Sequence, residues 1–319
     1  MATEWGWTQL ATFPIGIDVD AFAARATKAA GGAEVSRLRD SLDGTRLVLG
    51  VDRLDYSKGL EHRMRAFDRM LEMEPGLKRA VSLLQVAVPS RGNIRAYRDL
   101  KAGLAALVSD VNARHGEVDW MPIRYLNKGF SQFTLAGFYR LANVGLVTPL
   151  HDGMNLVAKE YVAAQNPFDP GVLVLSSFAG AARELDAALL VNPHDIDAMA
   201  RQIAAALAMK VAERRERWHA MVVKLRRASV QNWFAAFLHT LTEVRRAPSL
   251  PKNLSLLLDA GLAGAAAPLP GTDGASPRPQ PRPPRSIDQA APDRQATSAA
   301  VTDVPQPGSG AAVPSIWMR

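Results

Sequence analysis

The strongest constraint on the fold is a regular alternation between short apolar runs and longer amphipathic segments. The short runs have the length and β-branched content of strands, and segments of helical period separate most of them. This alternation predicts βαβ units, and therefore an α/β fold whose parallel sheet is covered by helices on both faces. The predicted strands are Arg46–Val51, Ala80–Val88, Trp120–Tyr125, Val144–Thr148, Val172–Ser176 and Ala187–Val191. The predicted helices are Glu61–Met73, Ile94–His115, Gln132–Leu141, Leu156–Gln165, a segment from the N-cap Asp195 through Met209, and Lys210–Arg227.

The charge and the residue types exclude several classes of protein. The 319 residues carry a formal charge of +7, but the densest basic run, Lys210–Arg227, contains Glu213 and Glu216 and is typical of the exposed face of a helix. We therefore expect neither nucleic acid nor a membrane as a partner. The chain has no cysteine, which excludes disulfides and thiolate chemistry. Because it shows no signal-peptide pattern and no apolar run of about 18 residues, we expect a cytoplasmic protein.

The C-terminal part of the chain differs in composition from the rest. Of the 21 prolines, 13 occur after residue 247, among few aromatic or β-branched residues. Such a segment buries too little apolar surface to offset its ordering entropy, so we expect a disordered tail at 247–319. Its polyproline character leaves two interpretations open, an inert tail or a docking segment for proline-recognising partners.

The turn after the first predicted strand contains two cations. In α/β sheets ligands bind at the carboxyl ends of the strands, and the stretch LGVDRLDYSKGL (49–60) places Arg53 and Lys58 there, next to the start of a helix. Backbone N–H groups and the helix dipole favour an anion at this point, so a phosphate is one interpretation. Salt bridges within the turn, to Asp52 and Asp55, are the other. The spacing matches neither a P-loop nor a G-x-G-x-x-G motif.

A second turn after a strand, within GLVTPLHDGMNLVAKEY (145–161), carries two carboxylates. Here a helix is expected to begin near residues 153–155, with Asp152 at its mouth and Glu160 along it. Eight helical residues span about 12 Å, more than the roughly 5–9.5 Å between the carboxylates of a hydrolytic pair. The two side chains therefore suit opposite ends of an extended ligand such as a nucleotide sugar. His151 is either a structural turn residue or a direct participant in catalysis, and both interpretations stay open.

Four motifs resemble the trehalose-6-phosphate synthase family. They are FPIGID (13–18), GVDRLDYSKGL (50–60), VPSRG (88–92) and LNKGFSQFTLAGFYRLANVGLVTPLHDGMNLVAKEYVAAQ (126–165), and the resemblance runs from about Phe13 to Val244. Members of that family are retaining glycosyltransferases that transfer glucose from UDP-glucose to glucose 6-phosphate, giving trehalose 6-phosphate and UDP. They have a B-type fold of two Rossmann-like domains, and this chain resembles the C-terminal, donor-binding half.

The resemblance implies a role for individual residues. Arg53 and Lys58 would neutralise the UDP diphosphate, Asp152 would bind the glucose, and Arg91 would contact the phosphate of the acceptor. The other implied donor-site positions are Phe130 and Leu135 near the uracil, Gly153, Met154 and Asn155 at the glucose, Leu156 and Val157 at the nucleotide, and Glu160 at the ribose. The acceptor attacks the face from which UDP leaves, so neither a protein nucleophile nor a metal or cofactor is expected.

The family's N-terminal half has no counterpart in this sequence. We therefore expect a truncated protein, or one that a separate N-terminal half or a homo-oligomer completes. The predicted domains are an N-terminal segment with the interdomain connection (1–43), a nucleotide-sugar-binding domain with C-terminal helices (44–246) and the Pro-rich tail (247–319). The alternatives to a synthase are a non-catalytic nucleotide-sugar-binding or partner-binding module, and a transferase with another phosphorylated acceptor.

Two further residues and one further segment are expected to contribute only to packing. Trp120 and Phe138 are predicted to lie in the core. The segment NWFAAFLHTL (232–241) has apolar residues at helical spacing and is predicted to pack against the domain.

Overall fold

A six-stranded parallel sheet forms the centre of the fold. The computed structural model describes residues 2–3, 6–7, 10–90 and 93–246. Two short strands, β1 (Ala2–Thr3) and β2 (Gly6–Trp7), pair with each other in antiparallel fashion. The central sheet consists of β3 (Arg46–Arg53), β4 (Val81–Val88), β5 (Ile123–Leu126), β6 (Val144–Val147), β7 (Val172–Ser176) and β8 (Leu189–Val191). Its order is β5-β4-β3-β6-β7-β8, and each neighbouring pair is parallel.

Helices cover both faces of this sheet, as predicted. In the described part of the chain they are α1 (Val19–Ala29), α2 (Ala33–Leu42), α3 (Leu60–Met73), α4 (Arg95–His115), α5 (Gln132–Leu141), α6 (Leu156–Ala164), α7 (Ile196–Ala208), α8 (Val211–Arg227) and α9 (Val230–Arg246). One core cluster packs α1, α2, α5, α6 and α8 on the sheet, and a second packs α3, α4 and α7. Successive residues of β3 alternate between them, with Leu47 in the first cluster and Val48 in the second.

The strand order changes direction between β3 and β6. From β3 the chain proceeds through β4 to β5 on one side, and then returns to place β6 on the other side of β3. The helices after β3 and β6 lie on opposite faces of the sheet, which makes this the point where a crevice forms outside the carboxyl ends of the strands. Ligands of open α/β sheets bind in such a crevice, at the carboxyl ends of the strands.

The predicted strands are present, with small differences at their ends. β3 continues two residues beyond the predicted end, because Asp52 and Arg53 pair with the last two residues of β4. Trp120 precedes β5 and is not part of it; its indole N–H donates to the Val81 carbonyl and the Ser82 hydroxyl. Trp120 and Phe138 are both buried, as expected. The helices α1 and α2 were not predicted, since their buried faces consist largely of alanine and isolated larger residues.

The two C-terminal helices differ in detail from expectation. The basic face of α8 is not only solvent-exposed, because two of its side chains also bind the domain. Arg214 donates to the Pro170 carbonyl, and Lys224 pairs with Asp186. In α9, Trp233 donates to the Phe13 carbonyl, but Phe234 remains 54% exposed. The expectation that residues 232–241 pack was therefore only partly correct, because apolar spacing identifies a face of a helix without identifying what covers it.

Two predictions fall outside the described residues, namely Arg91 and the Pro-rich segment 247–319. Of the helices that the structure describes, none has the length and hydropathy needed to span a membrane.

Candidate functional site

The turns after β3 and β6 meet at the crevice between these two strands. The carbonyl of Ser57, in the first turn, accepts hydrogen bonds from the backbone N–H groups of Leu150 (2.8 Å) and His151 (3.3 Å) in the second. These bonds join the backbones of two segments that lie more than 90 residues apart in the sequence. Two turns joined in this way present one surface to a ligand.

The first turn is shaped by Asp55 and Gly59. The Asp55 carboxylate caps the short 3₁₀ helix Tyr56–Lys58 by accepting from the Ser57 N–H (3.0 Å) and hydroxyl (2.9 Å). Tyr97 donates to its second oxygen. Burial raises the pKa of Asp55, but these hydrogen bonds outweigh burial and hold the pKa below its usual value of 3.8. Glycine is required at position 59 for two reasons. Its φ of 64° lies in the left-handed region, and a Cβ here would lie 2.5 Å from the Thr148 carbonyl oxygen.

Salt bridges within the first turn, the alternative to a phosphate site, do not form. Asp52 points to the interior, where its carboxylate lies 2.6 Å from a guanidinium nitrogen of Arg63 on α3. Asp55 is occupied as a cap, and Lys58 reaches the other turn. Arg53 is exposed, and its charge helps to lower the pKa of Asp55, but it makes no hydrogen bond and no ion pair within 4 Å with any described residue. Arg53 therefore remains available to an anion at the carboxyl end of β3.

Arg63 is a functional neighbour that the sequence reasoning missed. Its guanidinium is fully buried and also bonds the Gln85 amide oxygen (2.9 Å) and the Thr148 hydroxyl (3.2 Å). Burial raises the pKa of Asp52, and the charge of Arg63 opposes that rise. The sequence did carry a signal that Arg63 is buried. Arg63 lies in α3 on the same helical face as the buried Leu60 and Phe67.

The second turn holds the central ion pair of the site. Lys58 Nζ lies 2.6 Å from Asp152 Oδ2, and the side chains are only 13% and 17% exposed. Asn155 donates its amide to the same oxygen (3.0 Å). With φ 79°, Asn155 also caps α6, its Oδ1 accepting from the Ala158 N–H. The helix begins at Leu156 with Asn155 as its N-cap, as predicted to within one residue. Because Asp152 lies before the helix, the distance of about 12 Å that counts eight helical residues from Asp152 to Glu160 does not apply.

Glu160 lies on α6 in a separate polar pocket. Gln132, the first residue of α5, donates its side-chain amide to the Glu160 carboxylate (3.2 Å). Arg25 of α1 in turn donates to the Gln132 amide oxygen (2.7 Å). Burial raises the pKa of Glu160, and Gln132 and Arg25 oppose the rise. Neither Gln132 nor Arg25 was identified from the sequence, because each becomes relevant only once three helices converge.

The apolar positions implied by the resemblance line the same edge. Phe130, Leu135, Met154 and Val157 are partly buried and pack against the core cluster that includes α5 and α6. The Phe130 ring meets the edge of Phe138 at 5.2 Å, with the Lys128 ammonium 4.8 Å from its centroid. Leu156 is 38% exposed and Gly153 is exposed. Their roles in binding stay predictions.

The site combines features that suit an uncharged polyol joined to an anion. Two cations can meet a phosphate, and the carboxylates of Asp152 and Glu160 can accept hydrogen bonds from hydroxyl groups. In the described ranges there is no group of three or more His, Asp or Glu side chains with the arrangement of a metal site.

Comparisons with known proteins show which proteins this chain resembles in sequence and fold. The trehalose-6-phosphate synthase of Sinorhizobium fredii is 50% identical over 230 residues, which cover 72% of this chain and 50% of the relative. A crystal structure of a UDP-forming α,α-trehalose-phosphate synthase from Burkholderia xenovorans in complex with glucose 6-phosphate is 49% identical, with a TM-score of 0.71 over 72% of this chain and 50% of that chain. An E. coli structure bound with UDP-2-fluoro glucose is 42% identical, with a TM-score of 0.69 over 72% of this chain and 51% of that one.

The family assignment rests on most of the sequence. The chain spans about half the length of the curated relatives that it matches. The sequence profile of glycosyltransferase family 20 matches residues 4–243, which include both turns of the candidate site and every helix from α1 to α8. This chain therefore belongs to glycosyltransferase family 20.

Proposed function

We propose that this chain forms the UDP-glucose site of an α,α-trehalose-phosphate synthase. The reaction is the transfer of glucose from UDP-glucose to glucose 6-phosphate, with retention at the anomeric carbon, to give trehalose 6-phosphate and UDP. The observation that carries the proposal is the Lys58–Asp152 pair at the junction of the two turns, together with the exposed Arg53 at the carboxyl end of β3. In this pair a cation that can bind phosphate contacts a carboxylate that can accept sugar hydroxyls, and this supports a ligand in which a diphosphate and a sugar are neighbours.

In this proposal each charge has a defined task. Arg53 and Lys58 stabilise the negative charge that builds on the diphosphate as the bond to glucose breaks. Asp152 and the backbone N–H groups after it hold the glucose, and Glu160 accepts the ribose hydroxyls. The acceptor hydroxyl forms the new bond on the face from which UDP departs, and its proton leaves with UDP. Arg91 is the proposed contact for the acceptor phosphate.

Binding tests the donor site directly. Isothermal titration of the whole chain with UDP and with UDP-glucose should give a measurable affinity for both. Arg53→Ala combined with Lys58→Ala should weaken UDP binding by about 100-fold, since two charge-assisted contacts are lost. Arg69→Ala, which removes an exposed cation from α3, is the matched control and should bind like the wild type. Unchanged binding by the double variant would refute the phosphate assignment.

Turnover separates the proposed enzyme from the alternatives. The chain is incubated with UDP-glucose and glucose 6-phosphate, and trehalose 6-phosphate is sought by mass spectrometry, with Asp152→Ala as the negative control. Product that depends on Asp152 supports the synthase. Binding of UDP-glucose without product supports a nucleotide-sugar-binding module, and glucosyl transfer to a different phosphorylated acceptor supports a related transferase. Turnover per mole of chain that rises with protein concentration would favour completion of the site by a second copy.

A further inference from the structure

The loop after β7 supports the turn that contains Asp152. The Asp152 N–H donates to the Phe178 carbonyl (3.2 Å), the Gly180 N–H donates to the Asp152 carbonyl (3.0 Å), and the Ala181 N–H donates to the Met154 carbonyl (2.7 Å). The contact is a short parallel bridge between two loops, outside the main sheet. The position of the Asp152 backbone is therefore set by this loop as well as by β6.

Gly180 allows the two loops to approach this closely. A Cβ at Gly180 would lie 2.1 Å from the Gly153 carbonyl oxygen and 3.2 Å from the Met154 Cα. Every other residue would push the loops apart, since real Cβ atoms are not found at such distances. At Gly180 the supporting loop therefore contacts the turn through its backbone, and only glycine allows that contact.

The end of the supporting loop is fixed by a buried ion pair. Lys159 Nζ lies 2.8 Å from Glu184 Oε1 and 2.8 Å from the Ile15 carbonyl oxygen, and the Lys159 side chain has no exposed surface. The second carboxylate oxygen of Glu184 is buried without a hydrogen-bond partner among the described residues. A buried pair of this kind is weak evidence of stabilisation, because desolvation offsets much of the attraction. Its location suggests a different use.

We propose that Lys159 and Glu184 are positioning residues for the glucose-binding turn. Lys159 lies on α6, the helix that Asn155 caps and that carries Glu160. By holding Glu184 against α6, it fixes the loop whose Gly180 and Ala181 N–H groups hold the turn at Asp152 and Met154. The identity of the ligand rests on the proposed function, but the mechanical link between the pair and the turn does not.

Amide hydrogen exchange tests this link without a ligand. In Glu184→Gln, we expect the amides of Gly180 and Ala181 to exchange at least about tenfold faster than in the wild type, because the loop opens locally. The amides of β3 and β4 should be unchanged. Asp186→Asn is the matched control, since Asp186 follows the same loop but forms an exposed pair with Lys224. Equal exchange at Gly180 and Ala181 in the wild type and Glu184→Gln would overturn the proposal.

Binding then tests the consequence for the ligand. In Glu184→Gln, the ratio of UDP-glucose affinity to UDP affinity should fall about tenfold, because glucose contacts are lost while diphosphate contacts remain. The double variant Lys159→Met with Glu184→Leu replaces the pair by apolar residues of similar size, which proteins often tolerate without loss of stability. It should show the same fall in the ratio at an unchanged melting temperature. A wild-type ratio in this variant would contradict a positioning role.

The two proposals fail in different ways. If the wild-type chain does not bind UDP-glucose, the proposed function fails, and the exchange rates still decide whether the ion pair positions the turn. If the wild type binds and the Glu184 variants retain both the exchange rates and the affinity ratio, the positioning role fails alone.

Discussion

The ammonium group of Lys58 lies 2.6 Å from a carboxylate oxygen of Asp152, which joins the turns after β3 and β6. In the proposed donor site these two residues serve different parts of the ligand, the diphosphate and the glucose. Without a ligand they satisfy each other, so neither charge is left uncompensated at the partly buried mouth of the site. In a bound sugar diphosphate, the diphosphate would contact Lys58 while Lys58 still contacts Asp152. The sugar would bring hydroxyl donors to the Asp152 carboxylate.

We expect Asp152→Asn to separate the two parts of the ligand. The variant loses a charged acceptor for glucose hydroxyls, so UDP-glucose affinity should fall at least about tenfold, the effect of one charge-assisted hydrogen bond. Affinity for UDP alone should be unchanged or higher, because Lys58 no longer has a competing partner. Calorimetry with both ligands measures the difference. An equal loss for UDP and UDP-glucose would show that Asp152 has no specific relation to the sugar.

The affinity for UDP-glucose, whose diphosphate diester does not titrate between pH 7 and 4.5, should depend on pH through Glu160. Burial raises the pKa of this carboxyl from 4.5, and only the ionised form can accept two ribose hydroxyls. As pH falls through the raised pKa, Glu160 takes up a proton and binding should weaken, beginning above pH 4.5. Glu160→Gln should bind more weakly at neutral pH and lose this pH dependence. A wild-type profile that stays flat between pH 7 and 4.5 would contradict the assignment.

Asp55 should stabilise the fold in a pH-dependent way. Its pKa is lowered below 3.8 by hydrogen bonds, so the ionised carboxylate is favoured in the folded state. Because the pKa of Asp55 is lower in the folded state than in the unfolded state, the stabilisation is fully present above pH 3.8. It is lost as the pH falls through the folded-state pKa. In Asp55→Asn, the amide can still cap the helix but does not titrate. Urea unfolding of both proteins should show a wild-type advantage at pH 6 that shrinks as the pH falls below 3.8, whereas a constant difference would exclude Asp55 as its source.

Removal of Arg63 should be strongly destabilising. Arg63→Met leaves Asp52 buried without its partner, which should reduce the free energy of unfolding by about 3–5 kcal/mol. Adding Asp52→Leu removes the unpaired charge, and the double variant should recover much of that loss. Arg95→Met is a control, because Arg95 pairs with Asp99 at the surface with 87% of its side chain exposed, and such pairs contribute about 1 kcal/mol or less. A loss below about 1 kcal/mol in Arg63→Met would contradict a buried, unpaired charge at Asp52 and show that the carboxylate is relieved by water or by protonation.

The sheet and both turns of the site could be predicted from the sequence. Strands such as β6 and β7 are nearly continuous apolar runs, because both faces of a parallel sheet are covered. The turns are recognisable because charged residues and glycines follow those runs at once. The first 43 residues were harder, since α1 buries small alanines such as Ala26 and Ala29, which give a weak periodic signal.

The partners of the charges could not be predicted from the sequence. Lys58 has two carboxylates within six residues, Asp52 and Asp55, yet it pairs with Asp152. The choice depends on the capping of the 3₁₀ helix by Asp55 and on the burial of Asp52 beside Arg63, and both are products of the tertiary fold. Local sequence fixes which groups are present, whereas the packing of β3 against β6 decides which of them meet.

The Ser57 carbonyl, which accepts two N–H groups from the opposite turn, has a consequence for the timescale of binding. The two turns are held together before any ligand arrives, so no slow backbone rearrangement has to precede association. Encounter should then be limited by diffusion and orientation, and substitutions at the site should alter residence time more than arrival rate. Stopped-flow traces for strong and weak variants would accordingly share their initial slopes and differ in how quickly the complex dissociates.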